Sequence, residues 1–348
     1  MGYVVTMVGR TRPNSTPFNP SGFKAKRFSL IFQSGFLFYA EYNIRLFLYL
    51  LMRKADLYVS NDLDTLSASF LVSRIKGKEL VYDSHEYFLG STEIVHRPMV
   101  RMVWGNIERA IFPRLKHVIT VNQSIADLYE KQYGLRPVVV RNLPPYYRKT
   151  PKVSRQKLGL PAQKKIVLMQ GGGINVDRGA EELIHAMKAT YGLDNVHLLF
   201  IGGGDRWENL KVLTRELHLE RKVSFLPKMP WTSMMQYTSL VDIGVSVDKP
   251  VSLNYKYSLP NKLFDYIAAG IPVLASELVE VKNVVAGYNV GTFIESHEPR
   301  HIAKAIKYML EDTQRYQTWK TNTQKAAKEL CWEVEEKMLE RVYGRLGI

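Results

Sequence analysis

Short runs of β-branched and other apolar residues recur along the chain, and longer amphipathic stretches lie between them. A strand that alternates with a helix predicts parallel sheets with crossover helices, so the fold class is α/β. The runs predict strands at Tyr3–Val8, Leu57–Ser60, Leu80–Tyr82, Val118–Val121, Val138–Val140, Ile166–Gln170, Leu198–Ile201, Val223–Leu226, Ile243–Val247 and Val273–Ala275.

A proline-rich and basic stretch divides these strands into two series. It reads NLPPYYRKTPKVSRQ and ends at Gln156. With 348 residues the chain is long enough for two domains of ordinary size. The sequence therefore predicts a domain boundary near this stretch.

The chain is strongly basic, with a net charge of +15. The first 150 residues carry 21 Lys and Arg against 11 Asp and Glu, so most of the excess lies there. Such a charge favours nucleic acid, an anionic membrane or a phosphate-bearing substrate as partner. The basic residues are dispersed and form no recognisable nucleic-acid-binding module, so we expect no nucleic acid partner. Cys331 is the single cysteine, which favours a reducing, cytoplasmic compartment.

Glycine-rich segments follow two predicted strands of the second series. In open parallel sheets, ligands bind beyond the carboxyl ends of the strands. In GGGINVDRG, Gly171–Gly173 permit a close backbone approach to a phosphate before a helix begins, and Arg178 can add a charge-assisted contact. The second segment, Gly202–Asp205, is equally well explained as a tight turn.

The stretch PNKLFDYIAAGIPVLAS predicts a helix that begins next to Pro260 and ends at Gly270. Proline is tolerated in the first helical turn, where no intrahelical hydrogen bond is lost. The helix amino end and Lys262 would then both favour an anion. The alternative is that Lys262 and Asp265 form an exposed i,i+3 ion pair on a surface helix.

The second half of the chain resembles the carboxyl-terminal domain of retaining nucleotide-sugar glycosyltransferases of the group-one type. The resemblance lies in Arg178-Gly179, in Asp265 and in the segment Ser258–Gly270 with its GIPV turn. The resemblance implies the GT-B fold, in which two Rossmann-like domains face each other across a cleft. It also implies that Arg178 and Lys262 hold the donor diphosphate and that Asp265 holds the ribose hydroxyls. The donor-binding residues are then Gly171, Gly172, Gly173, Arg178, Ser258, Leu259, Pro260, Lys262 and Asp265.

A second segment, VYDSHEYF, ends a strand of the first series. It resembles the strand-end histidine segment of the same family, in which the histidine lies beside the reacting sugar. His85 is therefore the predicted catalytic residue in the cleft, where it orients the acceptor or the donor sugar. A structural histidine is the alternative. Glu86 is a weaker catalytic candidate and Asp62 weaker still, since either can cap a helix.

The resemblance also sets the expected domains and reaction. The amino-terminal, acceptor-side domain covers residues 1–147 and a returning helix at 332–348, and the donor-binding domain covers 148–331. The expected reaction moves a sugar from a nucleotide diphosphate sugar to a glycan or lipid-linked acceptor, with retention, in cell-surface polysaccharide or glycoconjugate synthesis. No metal and no cofactor is expected. A nucleotide-sugar 2-epimerase and a catalytically impaired sugar-nucleotide-binding protein remain open.

The sequence departs from the family pattern at three places. Tyr257 stands where many members carry a second carboxylate, and Gly172 stands where they often carry an arginine. The opening MGYVVTMVGR reads as a helix end, a C-cap glycine and the second strand of a doubly wound sheet. We therefore expect the amino domain to lack its first strand and helix, with a cost in stability and in acceptor binding.

The most hydrophobic stretch, Asn43–Lys54, is too short for the roughly 18–20 residues that span a membrane. We expect a buried helix that packs on a sheet. The alternative is an interfacial element, helped by Lys24, Lys26 and Arg27. The aromatic and basic run Phe23–Lys54 thus predicts peripheral association with an anionic surface at the inner face of the cell membrane.

Overall fold

The structure is a computed structural model that describes residues 2–13, 15, 18–147 and 153–346. It divides into two compact units, Met1–Val140 with Lys337–Ile348, and Arg141–Glu336. Part of the predicted linker, residues 148–152, lies outside the described residues, as does Met1. The last helix begins in the second unit and ends in the first, because it spans Trp332–Gly344.

The first unit contains two parallel sheets. One joins β1 to β2, and the other has the order β3-β4-β5-β6. In the described part of the chain, no strand pairing joins β1 to β3. The strands are β1 (Thr6–Thr11), β2 (Lys24–Ser29), β3 (Leu57–Asn61), β4 (Glu79–Ser84), β5 (His117–Thr120) and β6 (Val138–Val139). The helices are α1 (Gly35–Met52), α2 (Leu63–Lys76), α3 (Thr92–Val95), α4 (Pro98–Ile111) and α5 (Gln123–Tyr133).

The second unit is a doubly wound parallel sheet with the order β12-β11-β10-β7-β8-β9. Its strands are β7 (Lys165–Gly171), β8 (Val196–Gly202), β9 (Val223–Pro227), β10 (Ile243–Ser246), β11 (Val273–Ala275) and β12 (Gly291–Phe293). Its helices are α6 (Ala180–Ala186), α7 (Trp207–Glu216), α8 (Trp231–Thr238), α9 (Leu253–Lys256), α10 (Asn261–Ala268), α11 (Val279–Gly287), α12 (Pro299–Glu311), α13 (Thr313–Ala326) and the start of α14 (Trp332–Gly344).

The central strand β7 is buried on both faces. Ile166 and Leu168 belong to one apolar cluster, and Val167 and Met169 belong to another on the opposite face. A parallel sheet covered by helices on both sides produces this pattern, and its strands are continuous apolar runs in the sequence. The predicted strands of this unit are confirmed for that reason.

Two strands were missed by the sequence prediction. The first, β2, has the sequence KAKRFS, and cations at three of its six positions hide the apolar pattern. The second, β12, is only three residues long and begins with Gly291. A Cβ at Gly291 would lie 1.9 Å from the carbonyl oxygen of Val273, so this strand requires glycine for its approach to β11.

The apolar helix α1 is buried on one face only. Phe38, Tyr42 and Leu46 are buried, whereas Ile44 and Met52 on the other side are 59% and 77% exposed. The prediction of a buried helix that packs on a sheet is therefore correct for the inner face, which packs with Phe28 of β2 and Ala68 of α2, and wrong for the exposed outer face. Among the described residues, no helix is both long enough and apolar enough to cross a membrane.

Candidate functional site

The two glycine segments of the second unit are hydrogen-bonded to each other. The Gly203 N–H donates to the Gly171 carbonyl oxygen at 3.2 Å, and the Ile174 N–H donates to the Gly203 carbonyl oxygen at 2.8 Å. A Cβ at Gly202, whose φ is +139°, would lie 1.9 Å from the Gly171 carbonyl oxygen. The segment Gly202–Asp205 is therefore more than a tight turn, since it fixes the loop after β7 at the carboxyl edge of the sheet.

A buried carboxylate joins the two cations that the sequence assigned to the diphosphate. The Lys262 Nζ lies 3.1 Å from Asp248 Oδ1, and the Arg178 Nη1 lies 3.2 Å from Asp248 Oδ2. The Asp248 side chain is 1% exposed. Arg178 also lies over the ring of Tyr255, with its guanidinium carbon 4.5 Å from the ring centroid. This ion cluster brings together the loop before α6, the end of β10 and the first turn of α10.

The charges of this cluster do not cancel. Burial lowers the pKa of Lys262, the charge of Asp248 raises it, and the nearby charge of Arg178 lowers it. Two cations share one carboxylate, so with Lys262 protonated the cluster keeps one net positive charge. The Nε of Arg178 is buried and has no hydrogen-bond partner among the described residues. An anion that enters here would meet a charge and an unsatisfied donor.

Asp248 was missed by the sequence analysis. The available signal was its position, because the SVDKP segment follows β10 directly and thus lies at the carboxyl edge of the sheet.

Asp265 lies on the same helix α10 as Lys262 and is buried. It accepts hydrogen bonds from Trp231 Nε1 at 2.8 Å and from Gln170 Nε2 at 3.1 Å. Burial raises the pKa of its carboxyl group, and the two hydrogen bonds lower it. The alternative of an exposed Lys262–Asp265 pair is wrong, since Asp265 is buried, the Lys262 side chain is only 11% exposed, and Lys262 pairs with Asp248 instead. Contact between Asp265 and a ribose stays a prediction.

The turn before α10 is fixed by its own hydrogen bonds. Pro260 occupies the position immediately before the helix, with φ −72° and ψ 137°, and not a position in the first turn. The Ser258 hydroxyl donates to the Tyr255 carbonyl oxygen at 2.9 Å, and Leu259 packs against the apolar core. The roles of these three residues in donor binding stay predictions, as do those of Gly171–Gly173.

In the first unit, His85 lies between two carboxylates. Its Nδ1 is 3.4 Å from Asp62 Oδ2, and its Nε2 is 3.5 Å from Asp83 Oδ2. The His85 backbone N–H also donates to Asp62 Oδ1 at 2.9 Å. Asp62 precedes α2 but makes no side-chain cap there, and its φ of +59° is one that residues other than glycine rarely adopt. Glu86, the residue after His85, is exposed.

The two carboxylates determine the charge of His85. Hydrogen bonds to Asp62 first and Asp83 second raise the pKa of His85 to about 10 from its ordinary 6.5, against a smaller opposing effect of burial. His85 is thus an imidazolium at neutral pH. It can stabilise negative charge or donate a hydrogen bond, but it is not a free general base.

The charge state of His85 can be measured directly. We expect the ring resonances of His85 to report a protonated imidazole at pH 8 in an NMR titration, and Asp62→Asn to move its pKa down towards 6.5. Because the folded-state value is raised, the stabilisation by this ion pair is complete below pH 6.5 and is lost as the pH rises through about 10. A neutral ring at pH 8 in the unmodified protein would contradict this charge state.

The ion cluster lies within a region of the chain that matches a known protein family. The sequence profile of the family "Glycosyl transferases group 1" matches residues 152–326, which is half of the chain. The chain belongs to this family. The matched region contains both glycine segments and the ion cluster of Arg178, Asp248 and Lys262.

Curated relatives of this group 1 chain are distant. D-inositol 3-phosphate glycosyltransferase of Corynebacterium jeikeium is 26% identical over 247 residues, which are 66% of this chain and 57% of that protein. Lipopolysaccharide glucosyltransferase WaaG of Escherichia coli is 24% identical over 236 residues, which are 63% of this chain and 60% of that protein. The chain thus spans little more than half the length of the curated relatives it matches.

Solved structures extend the likeness to the whole fold. Sucrose-phosphate synthase from Thermosynechococcus elongatus has a TM-score of 0.81 at 20% identity and covers 99% of this chain and 89% of its own. Anabaena HepE in complex with UDP-glucose has a TM-score of 0.72 at 20% identity, and the match covers 92% of this chain and 86% of the HepE chain. The predicted GT-B fold is confirmed by this likeness.

Proposed function

We propose that this group 1 chain transfers a sugar from a nucleotide diphosphate sugar to a glycan or lipid-linked acceptor. The observation that carries the proposal is the cluster in which Lys262 and Arg178 share the buried Asp248 at the carboxyl edge of the second sheet. It combines a net positive charge with the paired glycine loops that a diphosphate can approach. The relative HepE binds UDP-glucose, so a uridine nucleotide is the first donor to test.

The chemistry proposed for the cluster is electrostatic. As the bond between the sugar and the diphosphate breaks, negative charge grows on the leaving diphosphate. Lys262 and Arg178 are held in place before this happens, so little reorganisation is needed when the charge develops. In the first unit, the imidazolium of His85 is proposed to act in the transfer step and not in nucleotide binding. Retention of the anomeric configuration is part of the proposal and rests on the family resemblance.

A thermal-shift screen tests the donor proposal. A ligand that binds only the folded chain stabilises it by mass action, so UDP-sugars, GDP-sugars and ADP-sugars are compared at equal concentration. We expect one nucleotide to raise the melting temperature of the wild type and to have little effect on Lys262→Met. Equal, small shifts with every nucleotide would contradict the proposal.

We also propose that the first unit binds an anionic membrane surface that carries the acceptor. Residues 31–37 and 96–103 are exposed throughout, and they include the first turns of α1 and α4. Their large apolar side chains include Ile31 and Met99, both 77% exposed. The two segments adjoin, because the rings of Tyr39 on α1 and Trp104 on α4 are 5.1 Å apart.

Arginines flank this apolar surface, since Arg97 and Arg101 lie in the same exposed run as Met99. Exposed apolar side chains beside cations are typical of proteins that bind at the interface of anionic membranes. The relative WaaG acts on lipopolysaccharide by its name, which suits a membrane-bound acceptor. The proposed location is the cytoplasmic face of the membrane.

The membrane proposal predicts how the chain behaves with vesicles. It should float with vesicles that contain phosphatidylglycerol but not with phosphatidylcholine alone, and salt should weaken the binding, since charges are screened within about 10 Å at 0.1 M. Met99→Ser should reduce flotation several-fold. Val212→Ser, an exposed position on α7 of the second unit, is the matched control. Flotation that depends neither on lipid charge nor on the Met99→Ser substitution would contradict the proposal.

A further inference from the structure

The side chain of Lys228 lies across the paired glycine loops. Lys228 directly follows β9, so it extends from the same carboxyl edge of the sheet as the ion cluster. Its Cε lies 3.0 Å from the point where a Cβ on Gly203 would stand. Its Nζ lies 4.0 Å from the corresponding point on Gly172. The absence of a side chain at Gly203 leaves the room that the Lys228 stem occupies.

The Lys228 ammonium is not neutralised by a carboxylate. No ion pair involves it in the part of the chain that the structure describes, whereas Lys262 and Arg178 share Asp248. With Lys262 protonated, the cluster offers one net positive charge, while an ionised diphosphate carries at least two negative charges. A further cation at the glycine loops would complete the charge balance.

We propose that Lys228 is a diphosphate-binding residue that supplies this cation next to the glycine loops. The inference rests on the proposed function, since it concerns the same nucleotide site. A lysine on a flexible stem can follow the phosphates, and the glycines beside it let the phosphates come close to the protein backbone. The ligand class is a nucleoside diphosphate, free or as part of the sugar donor.

The test compares nucleotides with their nucleosides. UDP, GDP and ADP, and the matching nucleosides, are titrated calorimetrically into the full chain and into Lys228→Met. We expect the variant to lose about tenfold to hundredfold in affinity for the preferred diphosphate, the usual effect of one charge-assisted contact. Affinity for the nucleoside should not change. Lys304→Met, on α12 with a side chain 78% exposed, controls for the loss of one positive charge.

A second variant moves the cation to a neighbouring position. The backbone of Gly172 is ordinary for any residue, and nothing but the Lys228 Nζ comes within 4 Å of a Cβ there, so Gly172→Arg fits the structure. In the Lys228→Met background it should restore diphosphate affinity. The inference is overturned if Lys228→Met binds the diphosphate normally, if it loses the nucleoside equally, or if Gly172→Arg restores nothing. A wild type that binds no nucleoside diphosphate overturns the proposed function as well.

Discussion

Replacing Lys262 with methionine is expected to reduce nucleotide affinity about tenfold to hundredfold and to lower the free energy of unfolding by about 1–3 kcal/mol. The affinity falls because a phosphate loses a charge-assisted contact. The stability falls because Asp248, 1% exposed, keeps its charge but loses one of its two cations. Calorimetry with the nucleotide and chemical denaturation measure the two effects.

A double variant separates these effects. In Lys262→Met/Asp248→Asn the buried carboxylate is no longer charged, and Arg178, whose side chain is 27% exposed, keeps access to water, so we expect part of the stability to return while nucleotide affinity remains low. Lys222→Met is the control, because Lys222 pairs with Asp194 at 2.7 Å in the same unit but outside the cluster. Recovery of affinity together with stability would show that Lys262 acts only on the fold.

Replacing His85 with alanine is expected to lower turnover about a hundredfold to a thousandfold, the range observed when one preorganised donor is removed from an active site. Nucleotide affinity should change little, because the nucleotide contacts are proposed for the second unit alone. Turnover is measured as release of the nucleoside diphosphate from the donor in the presence of acceptor, and affinity by calorimetry. The physical reason is the loss of a cation that Asp62 and Asp83 hold charged.

Two comparisons make the His85 result specific. His117→Ala removes a histidine of the same unit that lies 3.4 Å from Glu79 and should leave turnover unchanged. His85→Ala should keep the far-ultraviolet circular dichroism of the wild type. Unchanged turnover, or loss of the folded signal, would favour a structural role for His85.

The positions of five of the six strands in the second unit could be predicted because each is an apolar run between loops, whereas the three-residue β12 was missed. The cluster at its edge could be predicted only in part. Arg178 and Lys262 belong to recognisable segments, but their shared partner Asp248 lies 70 residues after one and 14 before the other. Only the parallel packing of β7 and β10 brings these segments together.

The same limit applies to the first unit. Asp83 is close to His85 in sequence, but Asp62 is 23 residues away and reaches it because Asn61 pairs with Asp83 across β3 and β4. The cap of α2 was therefore the natural sequence interpretation of Asp62, although its carboxylate serves His85. For a related reason the sequence left open whether α1 is a buried helix or an interfacial element, since an apolar helix sequence does not tell which neighbours cover it.

The most direct measurement is a crystal structure of the chain with the nucleotide that the thermal-shift screen selects. We expect the diphosphate to lie at the carboxyl edge of the second sheet, with oxygens within hydrogen-bonding distance of Arg178 and Lys262 and with the nucleoside on the side of Asp265. A nucleotide bound elsewhere, or one whose diphosphate points away from both cations, would contradict the assignment of this cluster as the donor site.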